Sequence, residues 1–291
     1  MSPSQTIAVL GGNGVYARHL IPRLIGAGYA VRALVRRPEA AGLARACGAD
    51  VRIADMFDEE ALCAALDGCA VGVNVATSLP GPSGRGDYQA NDRLRRDGTP
   101  SWVRACTRAG VPRIVQQSIA MVNACGDAWS DEDSPASAAT EERAARAIEA
   151  ALEMERIVRD SGLDRLILRG ALFYGPGTGF DDDWFSRARA GTLRLPGDGS
   201  AFVSLIHIAD MADATVAALA TWPATRTLII ADDRPATWRE LLSYVADVAG
   251  TTAPPPGGRL GLPSFRVRNT RARASLAWTP RYSDFRTGLA R

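Results

Sequence analysis

The sequence predicts an α/β fold, a doubly wound parallel sheet with a small carboxyl-terminal region. Three observations predict it. Short apolar runs alternate with stretches of helical periodicity from Thr6 onward, a glycine-rich turn joins the first run to the first helix, and small or polar residues close the later runs. Such alternation places a ligand beyond the carboxyl ends of the strands. The 291 residues suffice for one large α/β unit, or for a domain with a smaller appendage.

Thr6 to Leu10 is the first strand, and Val15, Tyr16, Leu20, Ile21 and Leu24 recur at helical spacing after Gly11, Gly12, Asn13 and Gly14. Glycine suits this turn because the backbone must bend sharply and approach a pyrophosphate, toward which the opening helix directs its N–H groups and dipole. Ala17 fills a further small position where helix and strand pack. Gly28 to Val35 supplies a second strand. At its end a cofactor with a free ribose 2′-hydroxyl would want a carboxylate, but Arg36 and Arg37 stand there. A guanidinium is a bidentate partner for phosphate, so NADP is expected rather than NAD. Asp50 to Ala54 is a strand ending at Asp55, Glu59 to Leu66 a helix, and Ala70 to Val75 a strand ending at Ala76 and Thr77. Ser101 to Arg108 reads as helix and Pro112 to Gln117 as the next strand, with Ser118 at its end.

Composition narrows the function. Hydrophobic residues make up 46% and charged residues 23%, with no apolar stretch near membrane length, which excludes a fibrous, disordered or membrane-spanning chain. The 34 basic and 32 acidic residues are interspersed, so nucleic acid is not the expected partner. Every one of the 34 basic residues is arginine. Without lysine, Schiff-base chemistry and Walker phosphate loops are excluded. Cys47, Cys63, Cys69, Cys106 and Cys125 lack paired C-x-x-C spacing and read as free thiols. With two histidines in the chain, no metal site is expected. A short polar leader running straight into a strand fits a cytoplasmic protein.

Six segments, in order, resemble the extended and atypical short-chain dehydrogenases/reductases, the NAD-dependent epimerase/dehydratase group. They are LGGNGVYA at 10–17, the Ala54-Asp55 strand end, IVQQSIAMV at 114–122, LRGALFYGPG at 168–177, LPGDGSAFVSLIHIADMADA at 195–214, and LAWTPRYSDFRTGLA at 276–290. The resemblance implies a Rossmann-type domain over residues 1–170, mainly for NADP, and a substrate-binding region over 171–291 interleaved with the last sheet strands. By position it implies cofactor contacts from Gly11, Asn13, Gly14, Val15 and Tyr16, with Asp55 and Met56 at the adenine. Ala76 and Thr77 would lie along the cofactor's middle, and Gly170 and Ala171 near the nicotinamide. Ser118 takes the place of the family's catalytic Ser or Thr, and alternatively caps a strand end. A homodimer is expected by analogy with the family.

The resemblance breaks at the proton machinery. The family places a Tyr and a Lys four residues apart on one helix face. Registering Glu155 on the family's glutamate puts Ala147 and Ala151 there. Proton transfer would then fall to water or to another donor, with Glu149, Glu153 and Arg146 on that helix, and Tyr174 after the next strand, as candidates. Val203 and Leu172 stand where nucleotide-sugar enzymes of the family carry an Arg and an Asn, which disfavours a nucleotide sugar. Tyr174, Phe180, Trp184, Phe185 and Phe202 suit either a small apolar ligand, such as a secondary metabolite, or core packing. Asp181 to Asp183 read as a solvated loop, His207 as structural, Trp278, Pro280 and Tyr282 as anchors of the tail, and Thr251 to Gly258 as a semi-rigid connector. The expected function is NADP-dependent oxidation or reduction of a small, rather apolar carbonyl or alcohol. The alternatives are a non-redox isomerase, cyclase or dehydratase with a structural NADP, and an NADP-sensing regulatory protein.

Overall fold

The structure, a computed structural model, describes residues 5–80 and 86–290. Most of the polar leader, residues 1–4, lies outside the described residues. Thirteen strands run β1 (Thr6–Leu10), β2 (Ala30–Val35), β3 (Asp50–Ile53), β4 (Val71–Asn74), β5 (Arg113–Ile119), β6 (Trp129–Ser130), β7 (Asp164–Gly170), β8 (Leu172–Tyr174), β9 (Phe202–Val203), β10 (Leu205–His207), β11 (Thr227–Ile230), β12 (Ala236–Thr237) and β13 (Arg266–Val267). The helices are α1 (Val15–Gly26), α2 (Gly42–Ala46), α3 (Glu59–Leu66), α4 (Tyr88–Arg93), α5 (Thr99–Arg108), α6 (Glu142–Asp160), α7 (Phe180–Arg189), α8 (Ile208–Thr221), α9 (Trp238–Ala249), α10 (Thr270–Leu276) and α11 (Phe285–Leu289).

Seven strands form one sheet in the order β11-β7-β5-β4-β1-β2-β3. The pairs from β3 through β5 register in parallel. The chain winds outward from β1 in both directions, which makes the doubly wound α/β architecture expected of the alternating pattern. Ile7, Ala8 and Val9 of β1 are fully buried, as a central parallel strand covered on both faces requires.

Packing divides the chain into two compact units. The first comprises residues up to Ser118, Glu149–Leu168 and Ala212–Thr227. Its core gathers Leu10, Leu34, Leu62, Leu66, Trp102 and Ile114. Asp58 caps α3 by accepting from the Ala61 amide at 3.0 Å, and Glu59 and Glu60 favour its positive end. The predicted helix at Ser101 starts earlier. Residues Leu94–Gly98 form a π-helical turn that joins α4 to α5. Gly98 and Pro100 look like breakers in sequence, but the widened turn absorbs them, with Pro100 in the first turn of α5, where its missing N–H is tolerated.

The second unit comprises Ile119–Ile148, Arg169–Met211 and the chain from Leu228 onward. Its short pairs are β8 with β10, β9 with β12, and β6 with β13. Thr237 and Glu240 form a capping box on α9, and Gly250 closes the helix in the left-handed region. The expected connector at Thr251–Gly258 is corrected here: it docks on the unit. Leu195 donates to Pro255, Gly197 and Leu195 exchange backbone bonds with Gly257 and Gly258, and Pro196 bridges to Gly258. Tyr174, Trp184 and Phe185 are buried, so most of the aromatic segment is core. Asp181, Asp182 and Asp183 form the first turn of α7, where they complement its dipole. His207 is buried, accepts the Ala209 amide on Nδ1 and stacks on Tyr282 at 3.8 Å between ring centroids. No helix among the described residues is long and apolar enough to cross a membrane.

Candidate active site

The glycine turn between β1 and α1 is built for close approach. Gly14 donates to the Gly11 carbonyl at 2.8 Å, and Gly12 to Leu34 of β2 at 3.0 Å. Gly11 has φ +82°, and a methyl group on it would lie 2.7 Å from Ala76 Cα. One on Gly12 would lie 2.9 Å from Ala33 Cβ. Both absences are steric necessities. Helix α1 opens at Gly14 with no side-chain cap and no acidic residue in its first turn, so the dipole and amides there meet no resident anion. Asn13 is exposed, and Gly11, Gly14 and Val15 are half-buried. This is a cradle that fits a pyrophosphate.

Arg36 and Arg37 follow β2 and are both exposed, with Arg37 also 3.4 Å from Glu39. Asp55 follows β3, and its Oδ1 accepts the Phe57 amide at 2.9 Å. Ala76 and Thr77 follow β4. A polar network that sequence reasoning missed fixes this last loop. Asn74 donates through Nδ2 to Gln116 Oε1 at 3.0 Å and accepts the Ala76 amide at 3.1 Å, while Asn91 accepts the Ser78 amide at 3.1 Å. Asn74, Asn91 and Gln116 are buried. The available signal was Asn74 itself, an amide closing an otherwise apolar strand.

The other expected cofactor-site residues are more enclosed. Tyr16 is buried with its hydroxyl 2.5 Å from Thr215 Oγ1, and burial raises its phenol above the ordinary range. Met56 is buried against Gly98. Gly170 and Ala171 lie in the second unit and are buried, with a methyl on Gly170 blocked by Phe173 at 2.4 Å and the Ala171 amide bonded to Ile230.

The candidate proton donors are all occupied. Ser118 is completely buried and donates to Glu155 Oε1 at 2.7 Å, and Arg159 grips the other oxygen of the same buried carboxylate. Burial lowers the nearby Arg95 guanidinium to about 10, against the opposing pull of Asp92 and Glu155. Ser118 is thus the hydrogen-bond partner of an internal ion pair. Tyr174 is also completely buried, donating to the Asp284 carbonyl at 3.3 Å. Burial first, then the charges of Asp232, Asp210 and Asp284, push its phenol well above the ordinary range. Glu149 is a solvated side chain paired with Arg96 at 3.0 Å. Glu153 and Arg146 pair with Arg156 and Glu142. On α6, Ala151 is buried and Ala147 half-buried.

A family profile described as NAD(P)H-binding matches residues 11–221. A Streptomyces protein named 3-diazoavenalumate denitrifying reductase is 35% identical, over 98% of this chain and 99% of its own length. The chain belongs to this NAD(P)H-binding family. Within it, the chain is also 24% identical to a Stigmatella aurantiaca 4-hydroxy-2-methyl-3-oxo-4-farnesyl-3,4-dihydroquinoline-1-oxide ketoreductase, over 84% of this chain and 73% of the relative. Among solved structures, UDP-glucuronic acid 4-epimerase from Bacillus cereus, determined with UDP-glucuronic acid and NAD, superposes with a TM-score of 0.80. That match is 18% identical and covers 98% of this chain and 96% of the other, which establishes the fold. The family binds NAD(P)H, and the relatives named as reductases mark this chain as an oxidoreductase.

Proposed function

We propose that the chain is an NADPH-dependent reductase whose substrate is a diazo-substituted arene, converted to the parent arene with release of dinitrogen. The observation that carries this reading is the loss of proton machinery. Alanines replace both functional residues on α6, and Ser118, Tyr174 and Glu149 are each committed elsewhere. The name of the Streptomyces relative supplies a reaction that needs no such machinery.

When bound, NADPH supplies a hydride. Reduction of a ketone with it develops an alkoxide, and a positioned acid then contributes about a hundredfold to ten-thousandfold. A diazonium carbon makes no such demand. Its new C–H bond takes the hydride's electron pair, the C–N bond breaks with its own pair, and the leaving group departs as neutral dinitrogen. The substrate would gain two electrons and lose dinitrogen, and any oxygen charge left would be a stabilised phenolate rather than an alkoxide that needs a positioned acid.

In this reading the Gly11–Gly14 turn and α1 hold the pyrophosphate, Arg36 and Arg37 the 2′-phosphate, and Asp55 the adenosine side. Asn74 fixes the Ala76-Thr77 loop along the cofactor, and the second unit takes the substrate. The alanines of α6 withhold proton donors from the reacting carbon.

The test supplies NADPH carrying deuterium at its transferable position together with an ortho-diazophenol. Dinitrogen release with deuterium on the carbon that bore the diazo group is the expected result, and a panel of simple ketones stays unreduced. Turnover of ketones without turnover of the diazo compound would overturn the reading. Conversion that leaves no deuterium in the product would replace it with the non-redox alternative.

A further inference from the structure

The second unit contains a cavity of about 290 Å³ between the β6–β13 pair and the start of α11. Strand pairing builds its wall. Parallel register sets Arg266 beside Trp129, and β9 against β12 sets Phe202 beside Thr237. The Arg266 guanidinium lies over two rings, 4.4 Å from the Trp129 centroid and 4.5 Å from that of Phe202. Stacking of this kind fixes the guanidinium plane while leaving its edge available for hydrogen bonds.

That edge lacks a resident partner. Arg266 Nε is buried without a hydrogen-bond acceptor among the described residues. Two more cations line the cavity. Arg286 lies over Phe285 at 4.4 Å, and Arg234 is exposed, with Asp284 3.9 Å away. The cavity's two carboxylates are already engaged. Asp233 accepts from Asn269 and Arg273 at 2.8 and 2.6 Å, and Glu240 is held by the Thr237 cap at 2.8 Å. What remains is a slot with three guanidinium groups against two engaged carboxylates, an aromatic wall and a partnerless guanidinium edge at Arg266.

We propose that this slot binds the carboxylate of a small planar unsaturated acid, with Arg266 as the bidentate partner and Arg286 and Arg234 as supporting charges. A flat conjugated tail lies against the Trp129 side, where the cavity is aromatic. The volume sits at the lower end of small-ligand pockets and suits an aryl acid better than a nucleotide sugar. A fork of parallel N–H donors matches a carboxylate. The assignment rests on the reductase reading, in that it makes the substrate an acidic arene anchored through its tail.

The experiment is a calorimetric titration of the full chain with trans-cinnamate, with neutral cinnamamide and inorganic phosphate as controls. Saturable one-to-one binding of cinnamate is expected, with cinnamamide and phosphate at least about tenfold weaker, the worth of one charge-assisted contact. Arg266→Gln is expected to weaken cinnamate by about tenfold or more while leaving NADPH affinity unchanged. Arg286→Gln, at an exposed position, gives a smaller loss and tests the slot even if the Arg266 variant misfolds. Equal binding of acid and amide, phosphate binding as tight as cinnamate, or indifference of both variants would each overturn the proposal. Failure is separable from that of the reductase reading. Diazo-arenes with and without a carboxylate turned over at equal KM would defeat the slot alone, whereas cinnamate binding without diazo reduction would defeat only the reaction.

Discussion

The glycine turn after β1 and the middle of α6 are opposite cases of conserving space. At Gly11 the backbone tolerates no methyl, because Ala76 stands 2.7 Å from where it would be. At Ala147 and Ala151 a methyl is all that remains of a site whose relatives by resemblance carry a phenol and an amine. One region keeps the close backbone approach that a pyrophosphate would require, and the other offers only methyl groups. The difference teaches that holding a cofactor and delivering a proton are separable demands. A reaction with a neutral leaving group needs only the first.

The comparison breaks most sharply at the turn. Gly11→Val combines backbone overlap with an unfavourable φ and is expected to weaken NADPH binding by about a hundredfold or more, measured by fluorescence titration. If binding survives, the turn is not the cradle. Ser118→Ala comes next. It removes a donor from buried Glu155 and should cost about 1–3 kcal/mol in denaturant unfolding, yet leave kcat within about threefold. A collapse of kcat at unchanged substrate affinity would restore Ser118 to catalysis. The double variant Arg36→Ala with Arg37→Ala should lower NADPH affinity about tenfold and spare NADH, and parallel titrations decide it.

The smallest effect concerns Asp232, in the second unit. Neither of its oxygens has a hydrogen-bond partner of ordinary geometry, although the Arg234 amide helps the charged form. Burial raises its carboxyl well above the ordinary 3.8, helped by the charges of Asp284, Asp233 and Asp210. The folded chain therefore retains a proton that the unfolded chain releases. The stabilisation is complete below the unfolded value and fades as pH rises toward the folded one. Asp232→Asn keeps a neutral group there, so Tm measured from acid to neutral pH should fall less steeply than in the parent. An identical slope would show that Asp232 is charged when folded.

Much of the first unit was legible in its sequence because parallel strands and their helices impose periods that side chains must obey. Thr6–Leu10 and Glu59–Leu66 matched residue for residue, while other boundaries moved by one or two positions. The π-helical turn at Leu94–Gly98 was hidden, since Gly98 and Pro100 read as a break and only packing shows the helix continuing. Candidate donors were legible as residue types but not as environments. Nothing in the order of letters tells that Tyr174 meets the Asp284 carbonyl, or that Ser118 faces Glu155 across 37 positions. The second unit was hardest to read, because its strand pairs are two or three residues long and join distant segments.

The proline-rich stretch that docks along Leu195–Gly197 carries a further consequence. Backbone bonds at both ends of this contact, with three successive prolines between Ala253 and Gly257, restrict the conformations open to the chain that leads from α9 toward Arg266. A guest entering beside that arginine finds walls with little wandering left to surrender, so its grip should depend on fit and charge more than on the taming of a loose loop.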